Sequence, residues 1–165
     1  MNWLTEETHG RRIYLWIFGT LLLGYIYTFA AFAVLGRMGV TIHPQVSDLK
    51  IDITSWSLPF LLFFFALIEE MMFRLPLMIA VNADADKKII FLFAFILSVV
   101  FGLLHGGIEH IFLQGAGGFL YCILFLKCGG YQKNYLQATA VSTAAHFLWN
   151  LSLCVIGIYH GVTAI

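Results

Sequence analysis

Apolar residues gather along this chain in five long blocks instead of alternating with polar ones: about 13–35, 57–81, 89–107, 111–127 and 136–158. A helix needs roughly 20 apolar residues to cross about 30 Å of hydrocarbon, so blocks of this length read as membrane spans. Lipid offers the backbone no hydrogen-bond partners, so each span is expected to be helical. Only Gly106-Gly107-Ile108-Glu109-His110 separates the third block from the fourth, which implies a tight turn near an interface. The pattern predicts an all-α membrane protein with five transmembrane helices in a single domain, residues 1–165. An N-terminal span and outer loop occupy residues 1–56, and a four-helix core occupies 57–157.

The second block breaks the pattern. Glu69, Glu70 and Arg74 sit in the middle of the run from Trp56 to Val81. An ionised group near the bilayer centre costs about 2.5–3.5 kcal/mol on insertion scales. Three in one helix persist only where they face protein or a water-filled cavity, so this segment is where function is sought.

Composition agrees with a lipid setting: the 165 residues are 61% hydrophobic and 11% charged. The formal net charge of zero excludes the basic footprint of a nucleic-acid partner. Cys122, Cys128 and Cys154 show neither metal-ligand nor disulfide spacing and read as small apolar packers. The short loops set the direction. Arg11, Arg12, Lys87, Lys88, Lys127 and Lys133 fall on one side, and Arg37 and Lys50 on the other. This predicts a cytoplasmic N-terminus, an outer C-terminus and an inner-membrane location. Ala31-Phe32-Ala33 resembles a signal-peptide cleavage site, but the apolar run before it is longer than an ordinary signal core.

Three pairs recur at helical spacing. Residues i and i+4 share a face, whereas i and i+1 diverge by about 100°. Glu70 and Arg74 can therefore pair, leaving Glu69 without a partner in its own helix. One carboxylate reads as structural and the other as available for acid–base work. Pro76 frees the carbonyl of Met72 and favours a local kink. Phe101 with His105 and His146 with Asn150 make the other two pairs. Counting about 1.5 Å per residue, Glu69 lies about 18 Å from the outer end of its helix and His105 about 24 Å from the inner end of its own. His146 and Asn150 lie about 15 and 21 Å from the inner end of theirs. All four fall between the midplane and the outer half, which points to one shared site.

The order and spacing of Glu69-Glu70-x-x-x-Arg74, Phe101-x-x-x-His105 and His146-x-x-x-Asn150 resemble the three motifs of the CAAX protease and bacteriocin-processing (Abi) family, which includes the type II CAAX prenyl endopeptidases. Gly115-Ala116-Gly117-Gly118 is similar to that family's glycine-bearing helix. The resemblance covers roughly 57–157, so this region is expected to be the catalytic core of an intramembrane glutamic-type endopeptidase. It implies that Glu69, assisted by His105, activates water and that His146 and Asn150 stabilise the oxyanion. Glu70, Arg74 and Phe101 would support the site. A membrane-bound protein or peptide is the implied substrate: a C-terminal sorting tail, a bacteriocin leader or a prenylated C-terminus. Only one span precedes the core, so a lid built from further helices is expected to be missing or to come from another subunit.

Other readings compete. The buried charges suit a small transporter or proton relay, and a non-catalytic immunity or scaffold protein could keep the same fold. No cofactor is expected. A zinc site would draw on His105, His146 and either Glu69 or Glu70, although no His-Glu-x-x-His pair is present. Glu109 and His110 are expected to be solvated in the outer turn, and His9, His43 and His160 to have no catalytic role. Trp3, Trp16 and Trp56 fit interfacial belting. Trp149 is expected to pack on a face away from His146 and Asn150.

Overall fold

A computed structural model gives the architecture, and it describes residues 8, 10–40 and 56–159. His9, His43, His160, Lys50 and Trp3 lie outside the described residues. Five helices follow in order, with no strand among the described residues: α1 (Arg11–Arg37), α2 (Leu58–Asn82), α3 (Lys87–Leu104), α4 and α5 (Tyr135–Tyr159). In α4, the α-helical stretch Ala116–Phe125 follows a π-helical turn, Ile111–Gly115, and runs into a closing turn, Leu126–Gly130, where Cys128 and Gly129 leave helical geometry.

Four of these helices, α1, α3, α4 and α5, are long and apolar enough to cross a membrane. α2 is also long, at 25 residues, but every membrane-length stretch within it takes in Glu69, Glu70 and Arg74. The outer surface is apolar: Phe18, Phe29, Phe60, Ile79 and Leu104 are all exposed. With this family of helices, such a surface belongs in lipid, and the protein is a multi-pass membrane protein.

Proline and glycine set several helix boundaries. Pro59 occupies the first turn of α2, where a missing N–H costs nothing. The Asp86 carboxylate caps α3 by accepting from Lys88 N at 2.7 Å. α3 stops at Leu104, three residues before the apolar block ends, with His105 as its C-cap. Gly106 turns the chain there at φ 151°, and a methyl at that position would stand 2.4 Å from the His110 ring. His110 is therefore buried under the turn, its Nδ1 2.7 Å from Gln114 Oε1, which corrects the expectation that it is solvated. At the other end of α4, the closing turn carries Lys127 into the bundle rather than a loop. Its side chain is buried, with Nζ 5.6 Å from the centre of the Trp16 ring.

α3 and α4 approach to backbone contact. A Cβ on Gly102 would sit 2.6 Å from Ile111 Cα, and one on Gly115 would sit 2.8 Å from Ser98 O. Small residues allow this closeness, which lipid rewards through van der Waals packing. The main core lies at the lysine-bearing end, where Leu77, Val81, Ile90, Ala94, Cys122, Phe125 and Ala138 meet. α1 is attached more thinly, through the buried stripe Ile17, Thr20 and Gly24.

Gly102→Ala is expected to lower the thermal midpoint of the detergent-solubilised protein, through overpacking of about 1–3 kcal/mol. Gly36→Ala, where nothing stands within 4 Å of a new methyl, should leave the midpoint unchanged or raise it. Equal melting of Gly102→Ala and wild type would refute the backbone contact.

Candidate active site

α2 places its two carboxylates in different surroundings. Glu70 is only 2% exposed, as is Arg74. Arg74 Nε donates to Glu70 Oε2 and Arg74 Nη2 to Glu70 Oε1, both at 2.8 Å. This bidentate geometry is the strongest form of a carboxylate–guanidinium pair. The remaining arm, Nη1, lies 2.7 Å from Cys122 Sγ on α4. Cys122 is thus a polar contact for the guanidinium and not the inert packer that its surroundings in the sequence suggest. Glu69, about 100° around the helix, keeps 33% of its side chain exposed.

His146 on α5 stands between the two glutamates. Its Nδ1 is 3.3 Å from Glu70 Oε1 and its Nε2 is 3.5 Å from Glu69 Oε2. A carboxylate engaged by arginine can only accept, so the Nδ1 contact requires a proton on Nδ1. The imidazole is held by aromatics on both sides. Tyr121 stacks on it at 4.9 Å and 20°, and Phe101 meets it edge-on at 6.0 Å and 76°.

Phe101 also organises His105. The two rings are 4.1 Å apart, and His105 Nδ1 lies 2.8 Å from Phe101 O. A carbonyl oxygen only accepts, so His105 donates through Nδ1 and its neutral form keeps a lone pair on Nε2. On its other sides Phe101 packs edge-on against Phe73 of α2 at 5.0 Å and closes on Gly118, where a Cβ would stand 3.0 Å from its ring. Glu69 lies one turn from Phe73 and His105 one turn from Phe101 on an antiparallel neighbour, so the two occupy one level. Among the described residues, however, no ion pair joins them, and the partner that Glu69 meets is His146. Asn150 lies one turn beyond His146 and is half-buried.

The structure thus brings Glu69, Glu70, Arg74, Phe101, His105 and His146 into one locus. Tyr121 and Cys122 also belong to the locus, and nothing in their spacing marks them as site residues. The one available signal was a tyrosine beside a cysteine inside an otherwise apolar run. Among the described residues, no three of His, Cys, Asp and Glu stand close enough to share a metal ion. His146 turns one nitrogen toward each glutamate, whereas a zinc set would aim its donors at a common point.

The model of the Rce1-like family, type II CAAX prenyl endopeptidases, matches residues 52–152. No curated protein and no solved structure matches the chain. The matched stretch takes in α2 to α4 and most of α5, and so every residue of the locus; α1 lies outside it.

Arg74→Ala leaves Glu70 buried without its cation and is expected to destabilise the detergent-solubilised protein by about 3–5 kcal/mol. Glu69→Gln, at a half-exposed position, should change the melting temperature little. Similar losses in the two variants would contradict the division between a structural and an available carboxylate.

Proposed function

Because the chain belongs to the Rce1-like family of type II CAAX prenyl endopeptidases, we propose that it is an intramembrane glutamic-type endopeptidase that hydrolyses a peptide bond of a membrane-associated protein or peptide. One observation carries the reading. A half-exposed Glu69 lies within 3.5 Å of His146, whose other nitrogen contacts the buried Glu70–Arg74 pair. An ion-pair scaffold alone accounts for Glu70 and Arg74 but gives no role to Glu69.

In the reaction, water sits between Glu69 and His105 Nε2. Glu69 takes its proton as oxygen attacks the carbonyl carbon, forming the C–O bond and a tetrahedral oxyanion. His146, carrying a proton on Nε2 as well as on the Nδ1 that faces Glu70, flanks the oxyanion with Asn150 and stabilises it; one such donor is worth about 10²–10³ in rate. Collapse breaks the C–N bond, and the proton held by Glu69 passes to the departing amine. Glu70, Arg74 and Phe101 hold the imidazoles in place. Neither a metal nor a cofactor is required by this route.

In this reading α2 crosses the membrane despite its charges, which gives five spans. The N-terminus lies in the cytoplasm and the C-terminus outside the inner membrane. Lys87, Lys88 and Lys133 lie at the cytoplasmic end, where Lys133 pairs with Asp84 at 3.0 Å. The substrates that suit the site are a C-terminal sorting tail, a leader peptide or a prenylated C-terminus.

Mass spectrometry of membrane-protein termini, from cells with the wild type or the Glu69→Gln chain, tests this. New termini should appear only with the wild type, since loss of a positioned base costs about 10²–10⁴ in rate. The same termini in both strains would remove Glu69 from the chemistry, and a transporter or scaffold would yield none in either. Purified enzyme should keep its activity in a strong chelator, and loss of activity that zinc restores would favour the metal alternative.

A further inference from the structure

We propose that α1 is a working part of the active site, and that Tyr25 is a positioning residue that fixes the rotation of α5 and so aims His146 and Asn150 at Glu69. The inference rests on the endopeptidase reading for its chemistry and on separate contacts for its geometry. α1 lies outside the residues matched by the family model, and its buried stripe is narrow. Its attachment to α5 is nevertheless specific.

Trp149 lies between His146 and Asn150 in the sequence and faces α1. Gly24 passes directly beneath the indole: a Cβ there would stand 3.2 Å from Trp149 Cζ3. The Tyr25 ring packs on the same indole with centroids 4.5 Å apart. One turn farther along α5, the Tyr25 hydroxyl bonds to Ser152 Oγ. Ser152 in turn donates to the carbonyl of Trp149 at 2.6 Å. A serine hydroxyl has a single proton, and Ser152 has already committed it to that carbonyl. The tyrosine O–H must therefore be the donor, and Ser152 Oγ the acceptor. The result is a directed chain from Tyr25 O–H through Ser152 O–H to Trp149 C=O. Tyr25 thus holds residue 149 twice, by its indole and, through Ser152, by its carbonyl.

The consequence for the site is geometric. His146 precedes Trp149 by three residues and Asn150 follows it directly, so all three turn together with the helix. His146 reaches the glutamates at 3.3 and 3.5 Å. A displacement of about 1 Å at a reacting group can cost about 10²-fold in rate.

Tyr25→Phe and Ser152→Ala test the proposal in the full-length protein in lipid vesicles, with the cleaved peptide identified by terminal mass spectrometry. Each should lower kcat about tenfold with KM and the thermal midpoint unchanged, and the double variant should be no worse than either single one. Ser152→Thr, which keeps the hydroxyl, should restore kcat. A second readout needs no hydrolysis. Leu58 of α2 packs against Cys154 of α5, so oxidation of a Leu58→Cys variant reports on the facing of the two helices. Its cross-linking rate should change severalfold when Tyr25→Phe is added. Unchanged kcat and cross-linking, or a kcat that falls only as far as stability does, would overturn the proposal. If the wild type cleaves no peptide but Tyr25→Phe still alters the cross-link, α1 does set the rotation of α5 and it is the endopeptidase reading that fails.

Discussion

The buried pair of Glu70 and Arg74 is the interaction on which the interior of this bundle depends. Both groups are 2% exposed, in a helix that the rest of the sequence commits to lipid. Neither charge is tolerable there alone. Their two parallel hydrogen bonds satisfy much of each other's capacity, and the remainder goes to other helices: Arg74 Nη1 to Cys122 on α4, and Glu70 Oε1 to His146 on α5. A local i,i+4 contact therefore becomes the polar centre around which three helices are ordered. An apolar core of the same volume would pack as well but would not fix which way an imidazole points.

That centre explains how two adjacent glutamates come to differ. Glu70 faces the interior and has its oxygens occupied, whereas Glu69 is one-third exposed and, among the described residues, has His146 Nε2 as its ion-pairing contact. His146 touches both, so the placement of Glu69's neighbour is inherited from the buried pair. Phe101 does the same for His105 from the α3 side, using its carbonyl for the imidazole and its ring for Phe73, His146 and Gly118. The close approach of α3 and α4 at Gly102 and Gly115 brings Phe101 within reach.

The sequence carried the helices because membrane-length apolar blocks have one viable backbone solution. It was less able to place their ends. The third block continues to residue 107, but the turn begins at His105 because Gly106 has a backbone conformation that lets it lie over His110. The fourth ends in a closing turn, Leu126–Gly130, that leaves helical geometry at Cys128 and at Gly129, with φ 125°, and Lys127 is drawn into the bundle there. In the site, the Glu70–Arg74 pair was legible because both partners lie on one helix. The bridge from His146 to both glutamates, the stacking of Tyr121 and the sulfur contact of Cys122 depend on the relative rotation of separate helices, and no spacing within one helix encodes that. For the same reason the direct contact of Glu69 with His146 is not legible in either helix alone.

The position of these charges also constrains how the bundle can assemble. Alone in a bilayer, α2 would carry three ionisable groups, a cost on the order of 10 kcal/mol if all were charged and unpaired. Pairing within the helix lowers this for Glu70 and Arg74, and burial against α4 and α5 completes their hydrogen bonding. Those helices come later in the chain: Cys122 and His146 follow Arg74 by 48 and 72 positions (122 − 74 and 146 − 74). The hydrogen bonding of the buried pair on α2 is therefore complete only once α4 and α5 have packed against it. The apolar end of the bundle, with Leu77, Val81, Ile90, Ala94 and Phe125, is where α2, α3 and α4 can associate without any polar group being in place. Packing there first would bring Arg74 beside Cys122, and α5 would then close the site by presenting His146 to a carboxylate already held by its arginine.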